Sequence, residues 1–448
     1  MTLALALIML AFCGCADMDG HLTSLPKAPN YYIKLQSLLD EIIDSGAEFA
    51  IPTNGLNRSA VQFVDLDGDG QDEVLALFRT KQSSALVFYV YQKVGDDYVI
   101  IDFFEGAGES IDCIYFPRVQ NGKRSVLVGL KLGESTVRGV LAYTLEADRL
   151  RKVFDGKYNG ITVADVNSDG FDEVVLVLGG LGETPPSASF YTNDAGRFTL
   201  VNTVGMVGDV KMPEKLRLGM LTKDIPALFI DSRNEAGQLI TDVIYYSNLQ
   251  YKNLMIEEGA EVATRRVQEI YCTDINSDGI VDIPTITPMP GYEDSAAEDA
   301  FWRIDWFRYD KTRGFYNNVS TFQNTTERWY FILPTRWINS VTVKRGEGDK
   351  NVRVIQFVAC SPMSDGTLAS SGPILLQIYR FSVLSADSFV LPKDLSILRR
   401  TSDAVFAAMT HKAEGLQELS ISAYELDISF RLMKSVWIDD SVDNGMQN

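Results

Sequence analysis

Residues 65–73 read DLDGDGQDE, and this acidic loop returns at residues 165–173 as DVNSDGFDE and at residues 274–282 as DINSDGIVD. Each copy has oxygen-bearing side chains at positions 1, 3, 5 and 9 and a glycine at position 6. Alternate side chains of a tight turn can converge on one point, and glycine permits the sharp bend. A hard cation such as Ca²⁺ takes about six to eight oxygen ligands. The loops therefore predict metal sites, with Ca²⁺ preferred over Mg²⁺ because Mg²⁺ keeps more of its water.

The sequence around the first loop has the pattern of strands. Val61 and Phe63 alternate with a polar residue before the loop, and residues 74–78 form a continuous apolar run after it. Alternation and short apolar runs are typical of strands. An EF-hand needs flanking helices and a glutamate at position 12, so this pattern excludes it. Position 12 holds, in the three loops, Ala76, Leu176 and Thr285.

Similar apolar runs recur between and after the loops. Their starting points are separated by 52, 48, 53, 56, 70 and 51 residues. A repeat of about 50 residues with four short strands is the size of a β-propeller blade. The sequence therefore predicts an all-β fold, a seven-bladed β-propeller with a short helix at each end. The seven points are Glu73, Ser125, Glu173, Pro226, Asp282, Val352 and Asp403.

The three loops between strands resemble FG-GAP or VCBS-type repeats, which occur in integrin α-chain propellers and many bacterial surface proteins. The resemblance implies up to three Ca²⁺ ions. That family usually has aspartate at position 9, so the longer Glu73 and Glu173 are expected to bind through one oxygen. The ligands that the resemblance implies are Asp65, Asp67, Asp69, the Gln71 carbonyl and Glu73; Asp165, Asn167, Asp169, the Phe171 carbonyl and Glu173; and Asp274, Asn276, Asp278, the Ile280 carbonyl and Asp282.

These ions are expected to be structural rather than catalytic, because a site closed by position 9 offers no place for a substrate. The implied ligands of the first loop carry a charge of −4, and those of the other two carry −3 each. The first loop is therefore predicted to bind Ca²⁺ most tightly. Pro284 closely follows the third loop and lacks an N–H for a central ladder, which predicts that its blade is the least regular.

The N-terminus predicts export and anchoring. Residues 1–14 carry no charged side chain, and their apolar run is too short to span a bilayer but suits a signal peptide. The following FCGCA resembles a bacterial lipobox, which implies lipidation of Cys15. The expected protein is secreted and attached to the bacterial cell envelope through this lipid, with residues 15–29 as a tether. Ser59 and Ala60, taken with the late helix, also resemble uncharacterised bacterial lipoproteins, which implies no activity.

The rest of the chain divides into a helix and repeats. Residues 30–46 predict a helix with one apolar stripe that packs on the body, ended by a glycine. Residues 56–320 are assigned to propeller repeats. Residues 321–440 form either the last blades or an α+β domain on a smaller propeller. In that last part, residues 329–333 and 340–343 suggest a hairpin, and the capping box at Ser422 opens a helix to about Val436.

Charge and composition narrow the function. A formal charge of −19 argues against nucleic acid as a partner. The chain has two histidines, His21 and His411, and no nucleophile motif next to either, so the expectation is a non-catalytic protein. Its predicted role is binding or scaffolding, with a protein or carbohydrate as the possible ligand. The alternative is a carboxylate-dependent carbohydrate-active enzyme, in which Trp302 and Trp306 either stack on sugar or belong to a blade core.

Overall fold

The computed structural model describes residues 30–180, 182–194, 196–297, 299–362, 368–369, 372–383 and 389–434. The predicted signal peptide of residues 1–14, the tether of residues 15–29 and Cys15 lie outside these residues. Among the described residues, no helix has both the length and the apolar character needed to cross a membrane.

Strands dominate the structure, in agreement with the many β-branched and aromatic residues of the sequence. Within the described residues three α-helices accompany them: α1 (Asn30–Asp44), α2 (Leu254–Glu257) and α3 (Ala423–Ser429). The strands are β1 (Ala47–Phe49), β2 (Val61–Val64), β3 (Glu73–Thr80), β4 (Leu86–Val94), β5 (Asp97–Gly106), β6 (Ser110–Tyr115), β7 (Ser125–Lys131), β8 (Arg138–Glu146), β9 (Arg149–Tyr158), β10 (Gly160–Ala164), β11 (Glu173–Leu178), β12 (Ser187–Asp194), β13 (Arg197–Gly205), β14 (Val210–Thr222), β15 (Ile225–Asn234), β16 (Leu239–Ser247), β17 (Gln250–Asn253), β18 (Ile283–Pro288), β19 (Trp302–Asp310), β20 (Gly314–Asn324), β21 (Trp329–Ile332), β22 (Val341–Arg345), β23 (Val352–Ala359), β24 (Ser361–Pro362), β25 (Leu368–Ala369), β26 (Ile374–Ser382), β27 (Ser396–Arg400), β28 (Ala404–Thr410) and β29 (Phe430–Leu432).

The described residues form six antiparallel sheets of four or five strands, numbered here sheet 1 to sheet 6 along the chain, and one small pair, β24–β25. Sheet 1 holds β1–β5, with β1 and β2 both paired to β3. Sheets 2, 3 and 4 are the simple meanders β6–β9, β10–β13 and β14–β17. Sheet 5 has the order β18-β19-β20-β21-β29, and sheet 6 has the order β22-β23-β26-β28-β27. The all-β, propeller-like architecture is confirmed.

The predicted count of seven blades is not confirmed. The points at Val352 and Asp403 were expected to begin separate blades, but the strands there, β23 and β28, both belong to sheet 6. Both strands pair with β26, which lies between them. The apolar run at β28 is therefore one more strand of sheet 6 and does not begin a new blade.

Helix α1 is confirmed and lies against sheet 1. Leu35 and Leu39 are buried on the predicted stripe, and they pack with Phe78 and Tyr91 of the sheet. The apolar stripe therefore belongs to the core, as the spacing predicts.

The C-terminal part of the chain completes sheet 5. The expected boundary at residue 320 lies inside β20, so the chain does not divide there. Strand β21 pairs on its outer side with β29, which returns from the C-terminal end. One hydrophobic core joins sheets 5 and 6 and includes Phe331, Phe357 and Phe430.

Two local predictions for this region have different outcomes. The capping box is confirmed, since Ser422 and Glu425 satisfy each other's backbone N–H groups. The helix ends at Ser429 rather than near Val436, because the chain turns into β29. The predicted hairpin between residues 329–333 and 340–343 is wrong, because β21 and β22 pair within different sheets.

Phe430 provides a test of this returning strand. Its side chain is fully buried, with ring centroids 5.4 Å from those of Trp329 and Phe406. We expect Phe430→Ala to lower the free energy of unfolding by about 3–5 kcal/mol, measured by urea denaturation, because it opens a cavity in the shared core.

The matched control is Tyr424→Ala in α3, where the side chain is 73% exposed. Its effect should stay within about 0.5 kcal/mol. Equal losses in the two variants would contradict the packing described for β29.

Candidate metal sites

The three acidic loops, named here loop 1 (residues 65–73), loop 2 (residues 165–173) and loop 3 (residues 274–282), occupy the same place in alternate sheets. Loop 1 joins β2 to β3, and loop 2 joins β10 to β11. In sheet 5 the strand before loop 3 is reduced to one bridge, Thr273 with Asp282. The missing strand makes sheet 5 irregular at this edge, in agreement with the irregular blade predicted from Pro284.

The backbone of all three loops has the same two bends. Positions 4 and 6 are both left-handed, with φ between 61° and 91°. The glycine at position 6 is the residue from which the sequence predicts this bend. Position 4 was missed because only loop 1 has glycine there, and loops 2 and 3 have serine. The left-handed residues are Gly68 and Gly70, Ser168 and Gly170, and Ser277 and Gly279.

Two side chains close each loop through the backbone. The position 1 carboxylate accepts the N–H of position 6 at 3.0, 2.9 and 2.8 Å in loops 1, 2 and 3. The position 9 carboxylate accepts the N–H of position 2 at 2.8, 2.9 and 3.2 Å. Since position 9 is buried in all three loops, a carboxylate lies beneath each turn. The accepting residues are Asp65 and Glu73, Asp165 and Glu173, and Asp274 and Asp282.

Loop 1 has the donor set of a divalent cation site. Carboxylate oxygens of Asp65, Asp67 and Glu73 lie within 4.8 Å of one another. Burial, together with the neighbouring aspartates, raises the pKa of Glu73 to about 7. One Glu73 oxygen accepts the Leu66 N–H, which leaves the other for an ion. Oxygen ligands with clustered negative charge fit Ca²⁺.

The two other ligands implied for loop 1 are exposed. Asp69 accepts the N–H of Gln71 at 2.7 Å, and neither residue belongs to the close carboxylate cluster. For Asp69 to join an ion bound by the other three carboxylates, its side chain would have to turn inward.

Loop 2 has the same two closing backbone hydrogen bonds as loop 1, but the amide of Asn167 lies among its carboxylates. The Asn167 NH₂ group donates to Asp169 at 3.0 Å and to Glu173 at 2.9 Å. For Asn167 to serve as a ligand, its amide has to turn over so that the oxygen faces the ion. Burial raises the pKa of Glu173 to about 8. Phe171, whose carbonyl was the fifth implied ligand, is half-buried. The donor set fits Ca²⁺, with one side chain to rearrange.

Loop 3 differs because an arginine lies within it. Arg308 of β19 donates to the oxygens of Asn276, Asp278 and Asp282 and to the Ile280 carbonyl. These four groups are four of the five ligands that the sequence predicts for a metal. The bonds from Arg308 lower the pKa of Asp278, while burial raises that of Asp282. With the guanidinium in this position, loop 3 does not fit a metal ion.

Sequence reasoning missed Arg308 because the residue is 26 positions beyond Asp282 and on another strand. Its run, WRIDWFRYD, has the ordinary pattern of a strand. Finding it requires the register between β18 and β19, which continues from Ile283 opposite Phe307.

The tryptophan pair does not form a sugar platform. Trp306 is 1% exposed, and its ring N–H donates to Thr321 at 2.8 Å. Trp302 is partly exposed and donates to the Ala297 carbonyl. Trp306 therefore belongs to the blade core, which was the other interpretation of this pair.

A separate cavity of about 600 Å³ lies where β6, β10 and β14, the first strands of sheets 2 to 4, face one another. Three carboxylates line it, and each is engaged by arginine. Arg138 lies 3.3 Å from Asp112, and Arg233 lies 2.5 Å from Glu214 and 3.2 Å from Glu269. The cavity is thus polar, with its charges arranged in pairs.

No known protein family matches the chain, and no curated protein matches it. The similar solved structures include a protein from Lactobacillus plantarum, with 10% identity, a TM-score of 0.26, and coverage of 69% of this chain and 84% of that one. Another is Saccharomyces cerevisiae Sqt1, with 9% identity, a TM-score of 0.31, and coverage of 69% and 97%.

A third similar structure is the exotype rhamnogalacturonan lyase YesX, with 13% identity, a TM-score of 0.25, and coverage of 60% of this chain and 56% of that one. Likenesses this weak transfer neither an activity nor a ligand to this chain.

The geometry ranks the loops for calcium. We expect Asp65→Ala to remove the tightest binding event in calorimetry, because loop 1 brings three carboxylates together. Asp165→Ala should remove a weaker event, since Asn167 must rearrange in loop 2. Asp274→Ala should leave the titration unchanged. Equal losses from the Asp65 and Asp165 variants would contradict the ranking.

Proposed function

We propose that this protein is a calcium-stabilised, non-catalytic lipoprotein of the bacterial cell envelope, built on repeats of the FG-GAP or VCBS type, with a binding or scaffolding role. The observation that carries the proposal is the buried glutamate beneath loops 1 and 2. Glu73 and Glu173 are 1% and 0% exposed and lie among other carboxylates.

Burial of a carboxylate is costly unless the charge is neutralised or paired. Within the described part of the chain, no lysine or arginine forms an ion pair with the implied ligand carboxylates of these two loops. A Ca²⁺ ion would supply the missing charge and hold β2 to β3 in sheet 1 and β10 to β11 in sheet 3. This role makes the ion part of the fold.

The polar cavity supports a binding role. Its walls come from three successive sheets, so a ligand there would touch several blades at once. Tyr158 and Tyr271 contribute aromatic rings beside the paired charges. Such a lining suits a polar partner, either a protein segment or a carbohydrate.

The same cavity is less suited to glycosidase chemistry. That reaction needs two carboxyl groups, one to give a proton and one to act as base or nucleophile. Asp112, Glu214 and Glu269 are each held by arginine, and Asp112 also accepts the Tyr158 hydroxyl at 2.5 Å. These ion pairs and this hydrogen bond favour the non-catalytic proposal.

Chelation tests the structural role of calcium. We expect EDTA to lower the melting temperature and added Ca²⁺ to restore it, because a ligand that binds the folded state alone stabilises that state. At about 100 times the dissociation constant, each site should contribute roughly 2.7 kcal/mol.

The control for this experiment is the double variant Asp65→Ala/Asp165→Ala, whose melting temperature should no longer respond to EDTA. A wild-type protein that melts at the same temperature with and without chelator would refute the structural role of calcium.

Anchoring is tested separately at Cys15. We expect the full-length protein expressed in a bacterium to fractionate with membranes and to incorporate labelled palmitate. Cys15→Ser should lose the label, because the acylated thiol is gone. Cys113→Ser is the matched control and should keep it, since Cys113 is buried in the sheets. An unlabelled wild-type protein would count against the anchor.

A further inference from the structure

We propose that the guanidinium group of Arg308 is a built-in substitute for the calcium ion of loop 3, so that the chain binds two ions and supplies the third cation itself. This inference rests on the proposed calcium binding of loops 1 and 2. It concerns the occupant of one loop, which neither the repeats nor the sequence pattern reveals.

The hydrogen bonds follow the coordination expected of a metal. Arg308 Nε donates to Asp282 at 2.7 Å, and Nη1 donates to Asp278 at 2.7 Å. Nη2 donates to Asn276 at 3.0 Å and to the second oxygens of Asp278 and Asp282 at 2.9 and 3.0 Å. It also approaches the Ile280 carbonyl at 3.4 Å. One planar cation therefore gathers the acceptors of positions 3, 5, 7 and 9.

The remaining predicted ligand serves the loop itself. Asp274 accepts the backbone N–H groups of Asp278 and Gly279 at 3.1 and 2.8 Å. The equivalent Asp165 of loop 2 makes the same two bonds. Position 1 thus shapes the turn in both loops, and the difference between them lies in what fills the centre.

Burial distinguishes this arrangement from a surface ion pair. The side chain of Arg308 is 6% exposed and that of Asp282 is 0% exposed. Asn318 adds a further bond to Asp282 at 3.0 Å. An arginine fixed by several charge-assisted bonds at a buried site is expensive to displace, because its charge would lose its partners. A calcium ion would have to expel it.

The corresponding strand positions in the other two sheets hold neutral side chains. Ile283 pairs with Phe307, Val74 with Tyr91 and Val174 with Tyr191. Continuing each register by one residue places Arg308, Gln92 and Thr192 opposite the position 9 carboxylates. A cation therefore occurs at this strand position only beside loop 3 among the three loops.

The consequence is a difference in calcium dependence along the chain. Sheets 1 and 3 would be held by ions from solution, while sheet 5 keeps its loop closed without one. Sheet 5 also carries the returning strand β29 and shares its core with sheet 6. Loss of calcium would therefore loosen the N-terminal sheets first.

The test counts bound calcium in the purified protein by calorimetry and by elemental analysis after dialysis. We expect two ions in the wild type, three in Arg308→Gln, which introduces the side chain found at Gln92, and two in Arg308→Lys, which keeps the positive charge. The result that supports the inference is one more bound ion in Arg308→Gln than in the wild type. No gain in the folded variant, or three ions in the wild type, would overturn it.

A second variant keeps the inference testable if Arg308→Gln does not fold. Asp274→Ala should leave the wild-type count unchanged, whereas Asp65→Ala should lower it by one. A loss of one ion from Asp274→Ala would overturn the inference. A wild type without calcium that gains one ion in Arg308→Gln would refute the proposed calcium stabilisation while upholding the role of Arg308.

Discussion

The structure depends on a buried carboxylate that holds a sharp turn between two strands. At position 9 of each loop, this group accepts the backbone N–H of position 2 and so fixes the loop over the start of the following strand. Removing such a group from water carries a penalty that grows as the charge loses its partners. Among the described residues, sheets 1, 3 and 5 contain this arrangement, and in sheet 5 Arg308 pairs with the buried carboxylate of Asp282.

In the neighbouring sheet 4, a buried carboxylate is paired with a buried arginine. There Asp231 and Arg266 form an ion pair at 2.6 Å, with side-chain exposures of 3% and 0%. Arg266 also donates to Thr241 and to the Ile270 carbonyl, and Asp231 accepts the Cys272 N–H at 2.9 Å. This network ties sheet 4 to the segment that leads into loop 3. Two buried guanidinium groups, those of Arg266 and Arg308, therefore come before and after loop 3 in the chain.

Local features were predictable from the sequence, and pairings between distant segments were not. The strands around the loops, helix α1 and the capping box at Ser422 all follow from residues a few positions apart. Residues 404–408 form a buried strand, as their apolar run predicts. The run itself does not show that this strand pairs with β26 inside sheet 6. The contact between Arg308 and Asp282 could not be predicted for the same reason, because it depends on the register between β18 and β19 and not on spacing in the sequence.

The return of β29 to sheet 5 has a consequence for how the chain acquires its structure. Sheets 1 to 4 are each made from one continuous stretch, so each can form as soon as its own residues have been synthesised. Sheet 5 cannot, because Trp329 pairs with Leu432, about a hundred residues later. Such distant pairings slow folding, since a long loop must close before the contact is gained. Until residues 430–432 have been synthesised, the outer edge of β21 stays open, and an open strand edge can pair with another chain.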